Sequence, residues 1–311
     1  METPSDPLDV SPAPNIENPV LRPSDVSDTE AKFVADPFLF IEDGSYHLFF
    51  ELLVADEYGK IGHAISQDGR QWDYNQIVLD PGYHLSFPYV FKWDGEYYMS
   101  PEDGRDPNDV INLYRATDFP TGWEKVVEMN APTYGENDHV LFRWQDRWWL
   151  LVGNNKSDGQ LRGELYLYYS DELVSDSWTP HSENPVVTGR KTAVRPAGRP
   201  IVRDDYVLVF LQDITVEYGN QVWAYQITDL SPSTYVDTPA MDKPVVTGTA
   251  WTEKFGLADR ADNYLPISLS KDWNADRMHQ FDPWYVGDSW LCAVDGYGDG
   301  NWSIGMYTAS P

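Results

Sequence analysis

The chain has 311 residues, with 50 acidic against 22 basic side chains for a net charge of −28, 41% hydrophobic residues and 45 aromatics. That supply of apolar side chains excludes intrinsic disorder and predicts a packed core, and no run reaches the ~20 apolar residues of a membrane helix. A single cysteine, Cys292, excludes an internal disulfide and a Cys-based zinc site.

Residues 1–15 are rich in Pro and Asp and lack a basic-then-apolar leader pattern, so they are expected to be a disordered tail on a cytoplasmic protein. Residues 16–311 are expected to form a single domain built of repeats. One unit runs Asp36-Pro37-Phe38-Leu39-Phe40, turns at Asp43-Gly44 and returns as Tyr46-His47-Leu48-Phe49-Phe50, which predicts a β-hairpin. It recurs 51 residues on, at Phe87-Pro88-Tyr89 with Asp94-Gly95, and after another 51 at Asp138-His139-Val140 with Gln145-Asp146. A fourth copy lies at Arg199-Pro200-Ile201 to Leu208 and a fifth at Asp282-Pro283-Trp284 to Leu291. Most hairpins precede a third strand, such as Gly62 to Ser66 or Leu113 to Ala116, and a fourth, such as Gln76 to Leu79. Five units of four antiparallel strands predict an all-β, five-bladed β-propeller. A β-sandwich is the competing fold, and the equal spacings argue against it. The last unit stops after its third strand, Ser303 to Tyr307; Glu17-Asn18-Pro19-Val20-Leu21 matches Glu183-Asn184-Pro185-Val186-Val187 of the third blade. The N-terminal segment is therefore expected to complete the last blade and close the ring. The interval from Thr249 to Gln280 reads as an ordered loop over one rim.

In a propeller the innermost strands line a central channel, so equivalent positions gather around one axis. At the start of the inner strand the five blades carry Asp36, Phe87, Asp138, Gly198 and Asp282. At the end of the second strand they carry Glu51, Glu102, Gly153, Leu211 and Asp295, with Asp213 just beyond Leu211. Carboxylates held together in a partly dry pocket cannot all ionise alike, and separated pKa values supply a general acid and a general base. Glycoside hydrolysis needs such a pair. An Asp before Pro also serves as a plain turn device, and for Asp282 the two readings stay open.

The unit Asp36-Pro37-Phe38 with Asp43-Gly44 and Tyr46 resembles the five-bladed propellers of glycoside hydrolase families 43, 32, 62 and 68. That resemblance implies a base or nucleophile at Asp36 and a second Asp at Asp138. Their blade-four acid Glu has no counterpart in Arg195-Pro196-Ala197-Gly198-Arg199-Pro200. A closer resemblance is to the propeller domain at the N-terminus of glucosamine inositolphosphorylceramide transferases. It is carried by Val34 to Phe38, His84 to Phe91, Tyr98 to Glu102, Leu113 to Pro120, Arg195 to Arg199, Gln212-Asp213 and Trp273 to His279. The resemblance implies a carbohydrate-active, glycosidase-like propeller acting on a glycan or glycoconjugate, or a non-catalytic glycan-binding module or scaffold beside a glycosyltransferase.

On this reading Asp36 is the base, Asp138 orients the sugar, and Glu102 is the best available acid. Arg195 and Arg199 either hold an anionic group or neutralise the acids around them. His84, His139 and His279, with Glu51, Asp213 and Asp282, are candidate substrate contacts at the rim, and Trp251, Trp273 and Trp284 are candidates for stacking on sugar rings. No cofactor is expected; a channel cation such as calcium has carboxylates to hold it but no loop motif to support it. The 34 Asp against 16 Glu and 13 Arg against 9 Lys match a halophile's surface, which repels phosphate backbones, so a monomer without nucleic-acid partners is expected.

Overall fold

The computed structural model describes residues 4–55, 57–104, 111–131, 138–157, 160–190, 192–215, 219–249 and 272–310. Trp251 and most of the interval from Thr249 to Gln280 lie outside them.

The described strands form five antiparallel sheets, the blades of a propeller. Blade one runs Ala31–Glu42, Ser45–Val54, Gly59–Ser66 and Asp73–Leu79. Blade two runs Leu85–Trp93, Glu96–Asp103, Ile111–Asp118 and Gly122–Met129. Blade three runs His139–Trp144, Arg147–Ser157, Gln160–Ser170 and Thr179–Pro180. In blade four the inner strand is broken into Arg195–Pro196 and Ile201–Val202, both paired to Val207–Gln212, with Gln221–Ser231, Thr234–Pro239 and Val246–Thr247 outside. Blade five runs Phe281–Val286, Ser289–Gly298 and Asn301–Ala309.

Local chemistry sets these elements. The Asp43-Gly44 and Asp94-Gly95 hairpins place both turn residues at positive φ, the geometry that matches strand twist, and Gln145-Asp146 does the same without glycine. The inner strand of blade one is buried without interruption from Val34 to Phe40 because neighbouring blades cover both its faces, whereas the outer strand Asp73–Leu79 is mostly open. Apolar clusters fill each seam. Phe49, Val90 and Met99 join blades one and two; Phe91, Trp149 and Val209 lie in the cluster that runs through blades two to four. Phe210 and Phe281 join four and five, and Ile304 and Leu48 join five back to one.

Ring closure follows the expectation with one change of strand. The N-terminal strand beside Asn301–Ala309 is Val10–Pro12, paired from Val10 with Ala309 to Pro12 with Tyr307. The expected segment lies just beyond it: Leu21 bridges Ile304, and the Asn18 side chain exchanges two hydrogen bonds with the Met306 backbone. Asn184 does the same with Leu167, beside a Val187 bridge to Leu165, so the two segments match in structure as in sequence. The tail expected to be disordered is docked from Ser5 onward. Asp6 takes bonds from Arg203 and Tyr206, and Ser5 accepts one from the Trp290 indole. Strand pairing and buried ion pairs give these polar residues partners that composition does not reveal.

Candidate active site

Bulges decide which side chains meet on the axis. In blade one the ladder jumps from Ala35 opposite Glu51 to Phe38 opposite Phe49; in blade two it jumps from Ser86 opposite Glu102 to Tyr89 opposite Ser100. The looped-out residues Asp36 and Phe87 take positive φ, +51° and +46°. A bulge of this kind re-aims a side chain. Asp36 is 2% exposed; its N–H donates to Asp295 (3.1 Å) and its Oδ2 accepts from the Phe87 N–H (3.2 Å). Its other oxygen, Oδ1, is buried without a hydrogen bond, 3.7 Å from His279 Nε2.

Around Asp36 gather Glu51, Glu102, Asp138, Asp295, Arg195 and His279, all buried. Arg195 reaches both oxygens of Asp138 through Nε and Nη2, and Glu102 at 3.4 Å. Gln212 adds a bond to Asp138 (2.9 Å), and the Ser86 hydroxyl donates to Glu102 (2.6 Å). Gly153 stands where a third acid would complete the ring. A Cβ there would lie 2.7 Å from the Val194 carbonyl and 2.9 Å from the Arg195 Cα, so glycine admits the blade-four strand that delivers the guanidinium. His84 sits at the rim, 38% exposed in its side chain, 3.6 Å from Glu51. Its Nδ1 accepts the Gly59 N–H, so in the neutral ring the proton is on Nε2, facing that carboxylate. His279 stacks on Trp302 and pairs with Asp295 at 2.6 Å.

Burial raises Asp36 from 3.8 to about 6, with His279 pulling down and Asp295 pushing up. Burial, then Asp36, Glu102 and Asp138, push Glu51 well above the usual carboxylate range. Glu102 goes the other way: burial works to raise it, but Arg195, the Ser86 hydroxyl, His84 and His139 together hold it low. Burial also raises the proton affinity of Asp138 against Arg195. Since both its oxygens accept N–H bonds, the anion is the form its contacts fit. His279 is raised, burial being outweighed by Asp295 and Asp36. Glu102, expected to be the acid, is thus the carboxylate held ionised.

Four expected site residues lie elsewhere. Asp282 pairs with Ala293 as Phe38 pairs with Phe49, so it is two residues deeper than its Asp-Pro motif suggests; blade five lacks the bulge. It binds Arg199 and the Leu39 N–H. Arg199 also donates to the Leu39 and Val90 carbonyls (2.6 and 3.2 Å) and lies over Trp284 and Tyr89, tying four blades together roughly 10 Å below Asp36. Neither Arg199 nor Trp284 faces a ligand at the rim. Asp213 is a turn cap, accepting from the Thr215 N–H and hydroxyl and from Gln221. His139 is buried against the Ser100 hydroxyl (2.7 Å), not at the rim. Trp273 is half-buried against the glycines of blade five. Sequence reasoning gave no role to Ser86 and Gln212. Their only signal is position, one residue before Phe87 and one before Asp213.

Asp36, His279 and Asp295 each bring one atom within 4.8 Å of the others, the grouping among the described residues with metal-ligand spacing. Asp295 already accepts the N–H groups of Asp36, His279 and Gln280 and pairs with the imidazole, while Asp36 Oδ1 stays without a donor 3.7 Å from His279 Nε2.

Fold and site together define a five-bladed propeller with a cluster of buried acidic side chains around its axis. Residues 2–254 match the family described as Glucosamine inositolphosphorylceramide transferase 1, N-terminal, and the chain belongs to that family. Glucosamine inositolphosphorylceramide transferase 1 of Oryza sativa subsp. japonica is 32% identical over 290 residues, which is 90% of this chain and 36% of that one. Its Arabidopsis thaliana counterpart is 33% identical over 283 residues, 86% and 32% of the two chains. The chain thus spans about a third of the length of these relatives. Two solved structures share the fold: a beta-1,2-mannobiose phosphorylase from Listeria innocua (TM-score 0.70, 15% identity, 97% and 96% of the two chains) and a GH62 alpha-L-arabinofuranosidase catalytic domain from Coprinopsis cinerea (TM-score 0.65, 13% identity, 94% and 95%).

Proposed function

We propose that this propeller is a carbohydrate-active, glycoside-hydrolase-like module acting on a glycan or glycoconjugate held over the axial acids. The observation that carries the reading is a set of buried carboxyls whose protonation is driven apart: Glu51 upward, Asp36 to about 6 and Glu102 downward. In this assignment Glu51 holds the proton to be given to a leaving oxygen, replacing Glu102 in that role, and Asp36 accepts one from water. Arg195 and the Ser86 hydroxyl hold Glu102 as an anion, which stabilises positive charge developing on the sugar. Membership of the transferase family and the company of glycan-acting propellers support a sugar as the ligand.

The test is release of reducing sugar from a panel of glycosides and glycolipid headgroups. Turnover lost in Asp36→Asn and in Glu51→Gln, with melting temperature retained, is expected; turnover unchanged in both would remove the assigned roles.

A second reading, a non-catalytic glycan-binding module working beside a glycosyltransferase, is favoured by one observation. Arg195 occupies the blade-four approach to the pocket, where an acid would be needed for the usual arrangement, and spends itself on Asp138. Saturable glycan binding with no product under any condition, and unaffected by Glu51→Gln, is what that reading expects.

A further inference from the structure

Away from the axis, the same rim carries a cavity of about 760 Å³ that the axial chemistry does not use. It lies where the N-terminal segment crosses from Leu21, bridged to Ile304 of blade five, to Ala31, which opens blade one. The turn between Gly298 and Asn301, with Asp272 and Trp273, walls its other side. Gly298 stands three residues beyond Asp295 on one strand, so the cavity begins roughly 10 Å along that strand from the axial acids. Its volume falls within the roughly 300–1,000 Å³ of small-molecule sites.

Trp273 is a fixed aromatic wall. A Cβ at Gly305 would lie 2.5 Å from the indole Cη2, and one at Gly296 would lie 2.7 Å from Cζ3. Two glycines on paired strands therefore make the seat on which the half-buried ring rests. Arg22 donates through Nη1 to the Pro19 carbonyl at 3.4 Å, which leaves most of its fork uncommitted. Glu30 and Asp299 border the cavity as exposed carboxylates, and Asp299 is fixed at φ +51° in the hairpin turn.

We propose that this cavity is a second carbohydrate site, which holds a neutral sugar unit while another part of the same glycan faces the axial acids. The inference rests on the carbohydrate reading above. An indole offers a large rigid apolar surface at low entropic cost, suited to the C–H face of a sugar ring. Carboxylates accept from sugar hydroxyls and a guanidinium donates to sugar oxygens, so Glu30, Asp299 and Arg22 complement a ring that carries both donors and acceptors. The Asp272 carbonyl abuts Gly298, which sets Asp272 and Asp299 beside the indole, where a uronate or phosphate would meet like charge.

The experiment is calorimetric titration of the whole chain with neutral gluco-, manno-, galacto- and xylo-oligosaccharides, each from disaccharide to hexasaccharide, and with hexasaccharides ending in a uronate. In at least one series the neutral hexasaccharide is expected to bind about tenfold more tightly than the disaccharide, and more tightly than its uronate counterpart. Trp273→Ala and Arg22→Ala are each expected to erase most of that gain with length. If Trp273→Ala fails to fold, Arg22→Ala and Asp299→Ala, both at exposed positions, decide. A gain with length that survives these substitutions, equal affinity at all lengths, or tighter binding of the uronate overturns the inference and leaves the carbohydrate reading standing. Binding of no oligosaccharide at all overturns both.

Discussion

Asp36 combines left-handed backbone, burial and an unbonded oxygen, and its titration gives a signed prediction. Its carboxyl is at about 6 in the folded chain against an ordinary 3.8. The folded state therefore holds the extra proton between roughly pH 4 and 6, and the stability it confers is complete below the lower value and fades as pH rises through 6. Asp36→Asn should be neutral at pH 4 and more stable than the unaltered protein at pH 8, by on the order of 1–3 kcal/mol, in denaturant unfolding at the two pH values. The converse holds for Arg195, whose removal leaves Asp138 and Glu102 charged and buried. Arg195→Met should cost about 3–5 kcal/mol near neutrality and less in acid, and Arg195→Lys should recover only part, lacking the planar fork. At this scale Asp36, Glu51, Glu102 and Asp138 could be read from repeat spacing, because spacing decides which residues share the axis. Asp282 and Asp213 could not. An Asp before Pro looks the same whether the strand bulges or runs straight, and only pairing shows that Asp282 lies two residues deep.

Elements transmit these contacts through close backbone approach. Gly198 at φ +148° lies so near the Phe281 carbonyl that an added Cβ would come within 1.9 Å of its oxygen, and Phe281 donates its N–H to the Ala197 carbonyl beside it. Gly198→Ala should therefore open the seam between blades four and five and lower the melting temperature by more than an ordinary surface change, which differential scanning would register. The closing strand makes a second case. Deleting residues 1–12 uncovers the edge of Asn301–Ala309 and strands Arg203 without Asp6. Reduced melting temperature and self-association in light scattering are expected; a monodisperse truncation with unchanged melting would mean the edge needs no cover. The sequence match of Glu17–Leu21 to Glu183–Val187 pointed to the right blade but not to the strand Val10–Pro12, since a three-residue strand carries no periodicity of its own.

For the molecule as a whole, the net charge of −28 sets a dependence on medium. At 1 M salt the Debye length is ~3 Å, so repulsion among surface carboxylates is largely removed, while the buried axial cluster is screened much less. Melting temperature should climb by several degrees or more between 0.1 and 2 M KCl; a flat profile would contradict a halophile's surface. Five blades, their order and their closure were legible in the sequence because turn chemistry and alternating burial repeat. What crosses between blades was not, because it depends on long-range register. Arg199 is the clearest instance, joined to Leu39, Val90 and Asp282 and stacked near Tyr89 and Trp284. It lays a floor across the axis beneath the acids. Under the proposed function, a polymer entering from the rim then presents only its terminus. Degradation of an end-blocked oligosaccharide at internal linkages would show that the floor gives way.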